Sequence, residues 1–133
     1  MAAVLLVAGI IILPYFLEPT PSPEEADRRI RLLLKREFFN REMAMVRERG
    51  RRLPGYDRAR QWKEKIHRID RITFLSIRVN RLIPDVLLLD PTPHFVVRVA
   101  VQDNDGEART RYFLLRTVGI DTETSYMAWF FSI

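Results

Sequence analysis

The chain has 133 residues, 47% of them hydrophobic, with 22 Lys+Arg against 17 Asp+Glu and no cysteine. That length allows one domain with a modest core, and so much apolar content excludes a mainly disordered chain. The lack of cysteine excludes a disulfide framework, a thiolate zinc site, an iron–sulfur cluster and a cysteine nucleophile.

The first element is a charge-free run from Ala2 to Leu17. Its sixteen residues would span roughly 24 Å as a helix, short of the roughly 30 Å hydrocarbon core. Met1 and the uncharged stretch around Pro19–Pro23 would extend it slightly. Nothing basic precedes the run and no small-x-small site follows it, so it does not read as a cleaved signal peptide. It has no polar face, so it does not read as a core helix either. The expectation is a single-pass membrane anchor. Leu5, Leu6, Ile11 and Ile12 would be embedded, Ala8 and Gly9 would offer a small-residue face to neighbouring helices, and Tyr15 and Phe16 would lie at the interface. Arg28, Arg29, Arg31, Lys35 and Arg36 follow within twenty residues, and the positive-inside rule then places the domain on the cytoplasmic side. The first of them comes eleven positions past Leu17, after Glu18, Glu24 and Glu25, which leaves a periplasmic domain open.

Glu18-Pro19-Thr20-Pro21-Ser22-Pro23 predicts a semi-rigid spacer. Ser22 is then the N-cap of a long helix, with Pro23 in the first helical position and Glu25 as capping-box partner. Nothing breaks this helix before Arg49, and Gly50, Pro54 and Gly55 end it. Ala26, Ile30, Leu33, Leu34, Phe38, Met45 and Val46 form its apolar stripe, widened by Leu32, Phe39 and Met43. Its length suits either cradling a sheet or protruding toward a partner. A second helix is expected from Tyr56 or Asp57 to about Ile69, with Ala59, Trp62, Ile66 and Ile69 on one face.

The charge is concentrated on this pair. Residues 28–71 carry 16 Lys+Arg against 6 Asp+Glu, a net of +10, while residues 1–27 carry −4 and residues 72–133 carry −1. Arg28, Arg29, Arg31, Lys35, Arg36, Arg51, Arg52, Arg58 and Arg60 are therefore the candidate contacts to a partner subunit or to anionic lipid. The alternative is a solvated face with internal pairs such as Glu37–Arg41 and Glu64–Arg68.

From Ile72 the period changes to two. Thr73, Leu75, Ile77 and Val79 predict one row of a strand, and Val86–Leu89 a short strand before the Asp90-Pro91-Thr92-Pro93 turn. Phe95, Val97, Val99 and Val101 form an inward row opposite Arg98 and Gln102. Asp103-Asn104-Asp105-Gly106 signals a hairpin, with a return strand through Tyr112–Leu115. Gly119–Glu123 turns the chain into a final aromatic strand, Tyr126–Ile133, with Met127, Trp129 and Phe131 on one face. The expected fold is α+β: a transmembrane helix, then two helices packed on a three- to four-stranded antiparallel sheet. Residues 1–17 form the anchor, 18–23 the linker, 24–71 the basic helical region and 72–133 the sheet, with 24–133 as one extrinsic domain. Two helices followed by long antiparallel strands, with Trp129 in the last, resemble the cone-shaped nuclear-transport-factor-like fold. Its membrane-anchored members include an inner-membrane assembly subunit of type IV secretion systems. The resemblance covers Pro23 to Ile133 and rests on element order.

The residues call for no cofactor and no metal. His67 and His94 are the only histidines, and no metal-ligand spacing joins them. Asp90 and His94 are separated by a Pro-Thr-Pro turn. Asp103, Asp105 and Glu107 superficially match a calcium loop, but the position of its bidentate Glu is Leu114. No phosphate-binding or nucleophile-elbow motif occurs. Nucleic-acid binding fits pI ≈ 10.1, but Glu residues interleave the basic helices and no RNA-reading motif is present. These features lead to a non-catalytic, single-pass accessory or scaffold subunit. Its partners would be membrane-protein subunits and the bilayer, in an energy-transducing assembly, photosynthetic or respiratory. A secretion or envelope machine is the alternative setting.

Overall fold

A computed structural model describes residues 2–4, 6, 17–48, 56–83, 94–103 and 105–133, with the backbone alone considered at 56–58. The elements are α1 (Pro23–Glu48), α2 (Tyr56–Asp70), β1 (Thr73–Arg81), β2 (His94–Gln102), β3 (Ala108–Arg116), β4 (Thr122–Thr124) and a single helical turn α3 (Met127–Phe130). The strands form one antiparallel sheet in the order β1-β2-β3-β4. The fold is α+β, as the change of period predicts. The sheet is a meander, in which each strand pairs with its neighbour in sequence.

α1 begins where its capping signal lies. The Glu25 N–H donates to Ser22 Oγ at 3.2 Å, and the Ala26 N–H donates to the Ser22 carbonyl at 2.9 Å. The Glu25 carboxylate turns outward to Arg28, at 3.0 and 2.5 Å. Ala26, Ile30 and Leu33, at spacings of four and three, are fully buried on one face of the sheet. Beneath them lie Phe95, Val97 and Val99 of β2 with Phe113 and Leu115 of β3. The pairs Phe95↔Leu115 and Val97↔Phe113 set this inner face in register. The fully buried arc ends at Leu33; of the rest of the expected stripe Leu34, Phe38, Met43 and Val46 are half-buried, while Leu32, Phe39 and Met45 are exposed.

The last 14 residues of α1 extend about 21 Å beyond Leu34. Their neighbours lie mainly on α2: Lys35 pairs with Asp70 at 2.6 Å, Lys65 lies over the Phe38 ring, and Phe39 meets Trp62 edge to face at 6.2 Å. The first half of α1 cradles the sheet, as expected, and its second half forms an arm with α2. The α2 helix packs on α1 instead of lying on the sheet.

Two strand readings need correction. In β1 the register jumps between Phe74 and Ser76, because Phe74 pairs with Val101 and Ser76 with Ala100. Leu75 is the extra residue of a bulge and is exposed. Phe74 therefore joins Ile77 and Val79 on the core face, and the expected row through Thr73 and Leu75 is broken. The expected final strand Tyr126–Ile133 does not form: the short strand β4 ends before it, at Thr124, and the segment itself holds the α3 turn. Successive bonds from the N–H of Ala128, Trp129, Phe131 and Ser132 to the carbonyl three residues back wind this segment into a turn. Trp129 consequently lies on the outer face, 6.3 Å from Tyr112 and under the Arg98 guanidinium. Val96, which points to that outer face, is fully buried. An eight-residue apolar run has no period that separates strand from turn; an outer face that needed covering selected the turn.

The hairpin between β2 and β3 has a glycine at the required place. Gly106 has φ 80° and donates to the Asp103 carbonyl at 2.9 Å, a conformation open to glycine at little cost. The expected strand Val86–Leu89 and its turn lie outside the described residues.

Phe113→Ala is expected to cost about 3–5 kcal/mol in urea unfolding, because Phe113 is wholly buried. Leu75→Ser is expected to stay within about 0.5 kcal/mol, because the bulge already exposes that side chain.

Candidate functional site

Of the expected anchor, Leu6 is helical and exposed, as are residues 2–4. Leu5, Ala8, Gly9, Ile11, Ile12, Tyr15 and Phe16 lie outside the described residues. Among the described residues no helix is long and apolar enough to cross a membrane. Arg51 and Arg52, and the side chain of Arg58, also lie outside the described set.

The remaining candidate cations divide into internal ties and open charge. Arg31 leaves one flank of α1 and donates to the carbonyls of Ile69 at 2.8 Å, Asp70 at 3.0 Å and Ile72 at 2.8 Å. It also pairs with Asp27 and lies 4.3 Å above the Phe74 ring. The last carbonyls of α2 have no partner within their own helix, so one guanidinium satisfies them while placing a cation at the negative end of the dipole. Arg29 leaves the opposite flank and grips Asp121 with two bonds, at 2.9 and 2.6 Å, and the Arg116 carbonyl at 2.8 Å. Arg36 adds a bond to the Asp121 carbonyl. Lys35, as given above, joins Asp70. Arg28 is held by Glu25 on an exposed surface, and Arg60 is loosely paired with Glu64 at 3.9 Å. Most of the first basic cluster thus fastens the molecule to itself. Sequence spacing alone cannot separate a tie from a docking charge, because the acceptors are backbone carbonyls and an aspartate some ninety positions away.

Open charge lies on α2 and at the end of the sheet beside it, and also at Arg41 and Arg47 of α1 and Arg78 of β1. Lys63, Lys65, Arg68 and Arg71 are exposed. Arg68 and Arg71 line a groove of about 580 Å³ with Thr73, Gln102, Asp103 and Arg111. Arg111 is engaged by Glu123 at 2.9 and 2.7 Å, and Asp103 receives Arg109 at 3.1 Å. The groove therefore offers guanidinium groups to an anionic group, and no histidine or serine lines it. His67 and His94 lie at opposite ends of the sheet, roughly 26 Å apart by the length of β1. No group of three metal-ligating side chains converges among the described residues.

Three carboxylates are held below their usual range by these pairs: Glu123 by the hydrogen bonds from Arg111, Asp70 by the hydrogen bond from Lys35, and Glu25 by the hydrogen bonds from Arg28. The Arg111 guanidinium is raised in turn by Glu123. A carboxylate depressed on folding stabilises the fold at pH values above its unfolded pKa, and that stabilisation is lost as the pH falls through the folded value. The melting temperature should therefore exceed that of Glu123→Gln at neutral pH, and the gap should close on acidification below the ordinary carboxylate range. Arg31→Met should cost about 2 kcal/mol in denaturant melts, since it removes a donor from three carbonyls, of which that of Ile69 keeps a second in the Ile72 N–H. Arg28→Met should leave the melt nearly unchanged.

Comparison of the chain with protein-family models, with curated proteins and with solved structures finds no match.

Proposed function

We propose that this chain is a single-pass, non-catalytic accessory subunit that holds a small α+β domain at a fixed offset from a membrane and presents a basic helical arm to a neighbouring subunit. The carrying observation is the docking of the spacer. Arg81, on the core face of β1, donates to the Glu18 carbonyl and to Thr20 Oγ1 at 3.3 Å, while its guanidinium lies over Phe95. The residues that follow the charge-free run are thus bonded to the sheet, and an anchor formed by that run would control the orientation of the domain. A swinging tether would need no such bond.

The arm supports the same reading. Its distal half takes no part in the buried core, yet it carries Lys63, Lys65 and Arg60 with exposed Phe39 and Met45. Mixed cationic and apolar character of this kind suits a protein interface, where charge steers encounter and apolar contacts retain the complex. The basic groove adds a second anion-seeking surface at the same end. By the positive-inside rule the domain faces the basic-side compartment.

Affinity purification of the full chain from its own membranes in mild detergent tests the reading. A stable set of other membrane subunits should co-purify, and Lys63→Glu should lower their recovery without changing the melting temperature. A full chain that purifies alone as a monomer, together with complete cellular function after removal of residues 2–17, would refute it. Recovery only with further copies of itself would favour the envelope-machine setting.

A further inference from the structure

The end of the sheet where the spacer docks is also where the C-terminal segment ends. Residues 124–133 contain no charged side chain, in a chain that is 29% charged. The Ile133 N–H donates to the Arg81 carbonyl at 2.8 Å, the Arg81 N–H to the Ile133 carbonyl at 3.2 Å, and the Ile83 N–H to the Phe131 carbonyl at 2.8 Å. Asn80 Nδ2 donates to Ser132 Oγ at 3.1 Å. One residue, Arg81, therefore holds the C-terminal segment with its backbone and the spacer with its side chain.

The side chains presented there are apolar and open. Phe130, Phe131, Ile133, Ile83 and Leu17 are between 51% and 79% exposed, and Tyr126 packs edge to face on Phe130 at 6.1 Å. Trp129 is turned the other way, onto the outer face of the sheet, so the α3 turn divides into a residue that packs and residues that face outward. A cluster of large apolar side chains of this size exceeds what a water-facing surface normally carries.

We infer that this cluster is a second membrane contact: Tyr126, Phe130, Phe131, Ile133 and Ile83 seat the domain in the interfacial layer of the bilayer beside Leu17, where the apolar N-terminal run ends. This inference rests on the anchor reading above. The choice of lipid over another occupant follows from position, since the patch lies within one arginine side chain of the residues joined to that run. It follows also from composition, since aromatic rings favour the headgroup boundary. The basic groove lies at the far end of β1, about 26 Å away, beyond the reach of headgroup charge at physiological ionic strength. The domain is then polarised, with lipid at one end and partner at the other.

The test uses the full chain reconstituted in vesicles of plain phosphatidylcholine and in vesicles of phosphatidylcholine brominated in the upper acyl chain. Phe130→Trp in a background of Trp62→Phe and Trp129→Phe reports on the patch. Trp129→Phe alone leaves Trp62 to report on the arm. Brominated lipid should reduce the patch fluorescence by about two-fold or more and leave the arm fluorescence unchanged. Co-flotation of the chain with unquenched patch fluorescence overturns the seating and leaves the anchor standing. This outcome is expected if residues 2–16 fold over the patch or a second copy covers it. Failure of the chain to co-float overturns both.

Discussion

Two arginines two residues apart fix the rest of the molecule. A helix advances 100° per residue, so Arg29 and Arg31 leave α1 on nearly opposite flanks. Arg31 fastens the end of α2 and the start of β1, and Arg29 fastens the β3–β4 connection through Asp121. Between them Ala26, Ile30 and Leu33 press onto Phe95, Val97, Val99, Phe113 and Leu115. The apolar contacts supply cohesion without direction; the two guanidinium groups supply direction. With both edges of the meander held to one helix, α1 can lie across the sheet in only one way, and its second half is committed to the arm.

That division explains a domain with so much positive charge and so little of it in a single patch. Burying a guanidinium is tolerable only where its donors are satisfied, and Arg31, with its carbonyl partners, aspartate and aromatic ring, meets that condition. Among the described residues, the cations left over include those on α2 and around the groove beside it, with Arg41 and Arg47 on the second half of α1. The basic character of residues 28–71 therefore has two physical meanings. One part closes the fold, and the other remains available for an external anion.

The sheet resolves a comparable conflict at its outer face. A meander with a helix on one side leaves the other side open, and Val96 would be stranded there. The C-terminal segment covers it by curling, with Trp129 inward over Tyr112 and Arg98. The curl forces Phe130 and Phe131 outward. Apolar exposure at that end is thus a geometric consequence of protecting the sheet, and it falls where Arg81 also docks the spacer.

Local signals in the sequence were sufficient for α1 and its Ser22 cap, for α2, for the alternation of β2 and β3, and for the Gly106 turn. Each depends on a period or a backbone preference expressed within a few residues. The charge-free run and the basic concentration were equally plain. The bulge at Leu75, the curl of residues 126–133 and the role of each arginine were decided by tertiary structure alone. A bulge is set by the partner strand, and a uniformly apolar segment takes its shape from the surface it must cover. A cation becomes a tie or a docking charge according to which distant carbonyl or carboxylate the fold brings to it.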